Sequence, residues 1–383
     1  MKLAGIELVR VDLPFRAPIR TAAETHASRA LLYVRVVTDE GEGWGECAAL
    51  LDRTAVDPKV EEVMLAAEER GAPRLLMASA ARGGELPGGA EMASLFGGTP
   101  VDRMLGAVLE MAVTDLELRR AGQSLAAWLG LAPGFESMPV GTAVGIPEDR
   151  KLDALLASVD EAVAAGAGRV RVKIEPGWDV EPVGAVRQAF PELVLQADAN
   201  GSYQPGDAAH LDSLSRFDLA CLEQPLPPAD LVALAQLAAR ISVPVCLDES
   251  LASPRRVLDA LRNGACRVAC LKPGRLGGLR ATLQAHRACV EAGVPVFVGG
   301  FFESGLGRTA NLALAARLQQ DAPGLIGDVS DPATYLAVDP CGYPIVQRGW
   351  VRVPDHPGVG GWPDELTLAE FAPQRRWFPA TYT

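Results

Sequence analysis

Between residues 169 and 272 the chain repeats one pattern of apolar and polar positions five times. Short apolar runs each end in a charged residue: RVRVK at Lys173, LVLQAD at Asp198, LACLE at Glu223, VPVCLD at Asp248 and RVACLK at Lys272. Successive end points are 25, 25, 25 and 24 residues apart. A run of about five β-branched and apolar residues, then a turn, then a stretch of helical period predicts one βα unit of a parallel sheet. Repetition at a near-constant period predicts a barrel whose strands all point their C-terminal ends at one face. MPVGTAVGI (138–146) reads as strand one, VPVFVGG (294–300) as strand seven and GLIGDVS (324–330) as a short strand eight. Helices are expected over 148–165 and in stretches such as PADLVALAQLAARI and GLRATLQAHRACVEAG.

Upstream the pattern changes. AGIELVRVDLPF alternates, a Pro-containing loop with His26 follows, and ALLYVRVVTDEGEGWGECA predicts a hairpin through residues 39–43. Residues 55–80 and 101–130 have helical period, and the Gly-rich stretch between them reads as a mobile loop. Strands followed by helices predict an α+β unit. The expected architecture is α/β: a modified (β/α)7β TIM-type barrel over 131–330 with an N-terminal α+β capping domain over 1–130. Residues 331–383, with a hairpin suggested by CGYPIVQRGWVRVP, are expected to return to the capping domain.

Barrel geometry gives the strand ends their chemistry. Asp198, Glu223 and Asp248 would stand side by side, and like charges that close repel unless a cation neutralises them. Hard oxygen ligands with open positions suit Mg²⁺, with Mn²⁺ as a substitute. Glu249 is a competing ligand, but strand alternation points it away from Asp248's side. Lys173 and Lys272 flank the three carboxylates. A lysine close to a cation has its pKa lowered, which frees an amine to act as a base. Two such lysines on opposite faces of a metal-bound carboxylate could remove and return the proton α to it, the metal stabilising the enediolate.

Composition narrows the alternatives. The 383 residues suffice for a barrel of roughly 200–250 residues and a second domain. A net charge of −12 argues against nucleic acid or anionic membranes as partners, since both need a basic footprint. Seven cysteines at positions 47, 221, 246, 266, 270, 289 and 341 lack zinc spacing and read as reduced and structural. The N-terminus lacks the uninterrupted apolar core of a signal peptide, and no run is long enough for a membrane span, so the expected location is cytoplasmic. No Gly-x-Ser-x-Gly elbow or phosphate-binding loop is present, and the four histidines do not end barrel strands.

RVRVKIEPGWDVEP, QADANGSY, LEQPL, CLDES, LKPGRLGG and VGGFFESGLGRTANLALA, with VDRMLGAVLEMAVTDLELR upstream, together resemble the enolase superfamily. More narrowly they resemble its muconate-lactonizing subgroup, in the branch of o-succinylbenzoate synthases and N-acylamino acid racemases. A lysine base beside Mg²⁺ is that superfamily's chemistry. The resemblance implies Asp198, Glu223 and Asp248 as Mg²⁺ ligands and Lys173 and Lys272 as the acid/base pair. It implies supporting or substrate-contacting roles for Thr142, Arg171, Asn200, Glu249, Arg275, Gly300, Phe301 and Glu303. Two departures stand out: Arg171 replaces the first lysine of the usual Lys-x-Lys, and Phe301 replaces the Met of Gly-Gly-Met. The implied enzyme acts on a small carboxylate and is a homo-oligomer like many relatives. The first expectation is o-succinylbenzoate synthase, a syn dehydration in menaquinone synthesis; the alternative is N-succinylamino acid racemisation. Muconate-type cycloisomerisation and dipeptide epimerisation come lower, the latter because Gly327–Asp331 lacks an Asp-x-Asp pair. A binding scaffold with a dead site would have lost a carboxylate or a lysine, and none is lost.

Overall fold

The computed structural model describes residues 1–20, 25–342 and 346–381, Arg20 by its backbone alone. Strands β1 (Leu3–Arg20) and β2 (Thr25–Thr38) pair antiparallel along most of their length, and β3 (Gly41–Cys47) joins β2. The expected hairpin turn lies between Thr38 and Gly41. The expected loop before it does not: His26 stands within β2, opposite Ile19, because the alternation continues through both strands. Residues 21–24 of that stretch lie outside the described residues.

The long helix Pro100–Arg120 packs on this sheet, capped by Thr99 through its side chain. It comes so close to β3 that a Cβ on Gly43 or Gly45 would collide with helix backbone at Ala112 or Val108. The Gly-rich stretch, expected to be mobile, instead forms a 3₁₀ helix, Gly89–Leu95, against the long helix. Its Met92 is fully buried, and Gly89 N donates to Glu117 Oε1 at 3.0 Å. One apolar anchor and a carboxylate on the helix are enough to order it.

Downstream, strand one of the sequence reading divides. β4 (Ser137–Pro139) leaves the barrel for a small antiparallel sheet, and β5 (Gly141–Val144) opens the barrel itself. The break falls at Val140, whose N–H donates to Gly349 O at 2.9 Å. Then follow β6 (Arg169–Lys173), β7 (Val194–Asp198), β8 (Cys221–Glu223), β9 (Val245–Leu247), β10 (Val268–Leu271) and β11 (Val296–Val298). All seven run parallel and in sequence order. The expected eighth strand is irregular, yet it bridges the sheet's two edges. Leu325 and Asp328 N–H donate to Val296 and Val298 carbonyls, and Gly327 O accepts from Gly141 N at 3.0 Å. Its glycines bring the segment closer to β11 than a regular ladder allows; a Cβ on Gly324 would overlap Val296 O.

Helices such as Leu152–Ala164, Leu231–Arg240 and Leu279–Glu291 cover the outside of the parallel sheet. The main core lies between sheet and helices, and a smaller one, with Cys221, Cys246, Val268, Cys270 and Phe297, lies inside the sheet's curve. β12 (Val346–Gln347) and β13 (Trp350–Arg352) make a hairpin that pairs with β4, and β14 (Gln374–Pro379) adds to β1. No described helix is long and apolar enough to cross a membrane.

Candidate active site

The parallel register sets Lys173 opposite Asp198 and Asp198 opposite Glu223, so the three side chains rise from one level at the C-terminal ends of β6, β7 and β8. Glu223 is opposite Cys246, which places Asp248 two residues higher and just past the end of β9. Lys272 follows β10. Both lysines lie against carboxylates: Lys173 Nζ donates to Asp198 Oδ2 and Asn200 Oδ1, each at 2.6 Å, and Lys272 Nζ to Asp248 Oδ2 at 2.8 Å.

Arg171, one inward step below Lys173, occupies the space between the acids. Its Nη1 reaches both Glu223 oxygens at 3.0 and 2.9 Å, its Nη2 reaches Asp328 Oδ2 at 2.7 Å, and its Nε lies 3.8 Å from Asp198. Asp328 also pairs with the fully buried Arg169, which donates to Gln196 at 2.8 Å. A lysine could not span Glu223 and Asp328 in this way, since it lacks the fork of donors.

The charges are far from balanced. Burial pushes the Glu223 carboxyl up to about 8; Arg171 opposes that rise, while Asp198 and Asp248 add to it. Burial would also raise Asp248, but Arg275 and Lys272 hold it well below the usual carboxylate range. Lys272 is correspondingly raised: burial disfavours its charge, and Asp248 outweighs burial. Buried carboxylates crowded together are a place where a divalent cation fits, and carboxylate oxygens are its natural donors. One oxygen each of Glu223 and Asp248 and the Cys270 sulfur all lie within 4.8 Å of one another; Asp198 is not part of that set.

The other residues named from the sequence lie around these acids as follows. Glu249, expected to point away, turns in: its Oε1 accepts from Asn200 Nδ2 at 2.9 Å. The ladder has ended at Leu247, so strand alternation no longer governs it. Arg275 joins Asp248 Oδ1 at 2.5 Å to buried Asp57 of the N-terminal part at 2.7 and 2.9 Å. Phe301 lies against two cations, its ring centre 4.5 Å from Lys272 Nζ and 5.1 Å from the Arg275 guanidinium. Glu303 accepts from Phe301 N at 2.8 Å and pairs with Arg308 at 2.9 Å. Gly300 leaves room for that pair; a Cβ there would approach Arg308 to 2.9 Å. Thr142 is the exception. It pairs with Val170, which puts its side chain on the helix-facing side of the sheet, while Ala143 takes the inward position opposite Arg171.

Sequence reasoning missed Asp57, Gln196 and Asp328. Gln196 could have been found two residues before Asp198, and Asp328 near the end of the eighth run; nothing local marks Asp57. It also missed Glu46 of β3. This carboxylate accepts from Ser304 N and Gly307 N at 3.0 and 2.8 Å at the start of the helix Gly305–Asp321, and so clamps the N-terminal part onto the barrel. Burial pushes Glu46 from 4.5 up to about 8, with Glu303 adding to the rise. The folded protein therefore holds a proton that the unfolded chain releases between those values, and stability should fall as pH rises through that window. Urea unfolding at a series of pH values should show the slope, up to about 1.4 kcal/mol per pH unit. Glu46→Gln should reduce it by the share of one group, leaving the share of Glu223, which is raised over the same window.

Comparison with known proteins places the chain in a family. The family model described as "Enolase C-terminal domain-like" matches residues 154–366. An N-succinylamino acid racemase of Amycolatopsis sp is 40% identical, with 97% of this chain and 99% of the relative covered. An o-succinylbenzoate synthase of Geobacillus kaustophilus is 35% identical over 98% of this chain and 97% of the relative. The solved structure of an enolase-superfamily member from Listeria innocua superposes with a TM-score of 0.90 at 30% identity, covering 100% of both chains. With its curved parallel sheet, its antiparallel N-terminal sheet and these relatives, the chain belongs to the enolase superfamily, as an enzyme of the o-succinylbenzoate synthase and N-acylamino acid racemase branch.

Proposed function

We propose that this enzyme removes the proton α to the carboxylate of a small substrate with the help of a divalent cation, and that its principal reaction is the syn dehydration that yields o-succinylbenzoate. What carries the reading is the placement of Lys173 and Lys272 at opposite ends of one row of carboxylates, each within 2.8 Å of its acid. Asp198, Glu223 and Asp248 would hold Mg²⁺, with Mn²⁺ as a substitute, and the ion would supply positive charge for the substrate carboxylate as the α-carbon gives up its proton.

The chain's own groups do the rest. Lys173, as the free amine, takes the α-proton, and the C–H electron pair moves into the carboxylate as an enediolate. The same Lys173, now an ammonium, returns that proton to the departing hydroxyl, which leaves as water from the same face. Lys272 stays charged beside Asp248 and under the Phe301 ring, and faces the developing negative charge from the other side. Dehydration needs only one base, Lys173, with Lys272 as the electrostatic support.

The Amycolatopsis relative favours a second reading, racemisation of N-succinylamino acids, in which each lysine serves one face. Matched assays with Mg²⁺ separate the two. Faster turnover to o-succinylbenzoate, measured as kcat/KM, supports dehydration as the principal reaction. Faster inversion of N-succinylamino acids transfers that role to racemisation, and silence in both rejects each.

A further inference from the structure

The inward-facing positions one layer below the proposed cation site hold three thiols on adjacent strands: Cys221 beneath Glu223, Cys246 beneath Asp248 and Cys270 beneath Lys272. They are not equivalent, because the barrel's stagger raises each successive strand. Val268 is opposite Cys246, and continuing that register by two residues sets Cys270 beside Asp248 itself. Cys270 therefore borders both the apolar layer and the charged one. Its sulfur lies within 4.8 Å of an oxygen of Glu223 and of Asp248. The residue is 1% exposed. Gly299 of the neighbouring strand end keeps the space open, since a Cβ there would collide with Cys270 Sγ.

We propose that Glu223, Asp248 and Cys270 form a second donor set that captures a thiophilic divalent ion such as Zn²⁺ or Cd²⁺. The proposal builds on the cation site at Asp198, Glu223 and Asp248. The two sets share two carboxylates, so they exclude each other: a hard ion takes the three carboxylates, and a soft one is drawn down to the sulfur. The thiol gives its proton to solvent as the sulfur–metal bond forms. The metal requirement of the enzyme is then also its point of sensitivity, and Zn²⁺ displaces Mg²⁺ rather than replacing it in function.

The test uses the full chain stripped of metal. Mn²⁺ binding followed by electron paramagnetic resonance reports the carboxylate site, and the ultraviolet sulfur-to-Cd²⁺ charge-transfer band reports the thiolate. The expected result is Mn²⁺ binding, displacement of Mn²⁺ by Cd²⁺, and a charge-transfer band that Cys270→Ser abolishes while Cys246→Ser retains. X-ray absorption on the wild-type Cd²⁺ complex should find one sulfur among oxygens, which keeps the test valid should Cys270→Ser not fold. Displacement of Mn²⁺ by Cd²⁺ with no band and no sulfur would overturn the thiol donor while leaving the carboxylate site standing. A band that survives Cys270→Ser would overturn it too. Failure to bind either ion would overturn both readings, and a band lost in Cys270→Ser without Mn²⁺ binding would support the thiol set alone.

Discussion

Lys173→Ala is expected to lose dehydration activity by at least about 10²–10⁴-fold, the usual contribution of a positioned acid/base group, with its circular dichroism spectrum unchanged. Lys173 is half-buried and, among the described residues, its ammonium bonds to the side chains of Asp198 and Asn200, so truncation removes chemistry and little packing. Lys272→Ala should fall by about 10²–10³-fold, the scale of one lost electrostatic stabiliser. The two variants should also differ toward N-succinylamino acids. Without Lys272, inversion should stop while one enantiomer still exchanges its α-proton with solvent through Lys173. Retention of dehydration by Lys173→Ala within tenfold of the wild type would remove this residue from the role of base.

The largest effect on stability is expected at Asp328→Ala. That carboxylate is held well below its usual range: burial opposes ionisation, and Arg171 and Arg169 outweigh it. Removing it leaves two buried guanidiniums, one of them fully buried, short of a counter-charge. Taking one partner out of a buried ion pair costs about 3–5 kcal/mol, which urea unfolding at neutral pH would detect as a large drop in midpoint. A loss below about 1 kcal/mol would mean that Gln196 and Glu223 alone satisfy the two arginines.

Much of this arrangement was legible in the chain. A near-constant period of 25, 25, 25 and 24 residues between charged strand ends is a strong signal, because successive parallel βα units convert similar spacing into adjacency. It located Lys173, Asp198, Glu223, Asp248 and Lys272 on one side of one sheet. The signal failed where hydrogen-bond register, rather than period, decides. Asp248 lies beyond its strand, so alternation misjudged Glu249, and the same stagger sets Cys270 at the border between a core layer and the acids. Thr142 was named from the resemblance, and its pairing with Val170 turns it to the helix-facing side of the sheet. Asp57 and Glu46 come from the other end of the chain and act on the barrel through ion pairing and helix capping. No pattern of neighbouring residues encodes either contact. Arg171 was visible as a departure from the branch's lysine, but its reach from Glu223 to Asp328 needed coordinates.

The most direct test of cation-assisted α-proton abstraction is solvent exchange. The purified enzyme would be incubated with N-succinylamino acids in D₂O, and loss of the α-proton signal followed by nuclear magnetic resonance. Metal-free protein, protein restored with Mg²⁺ and the Lys173→Ala, Lys272→Ala double variant would be compared. The predicted result is exchange that disappears on chelation, returns with Mg²⁺ and is absent from the double variant. Exchange that persists after complete removal of metal, or that survives loss of both lysines, would contradict the account.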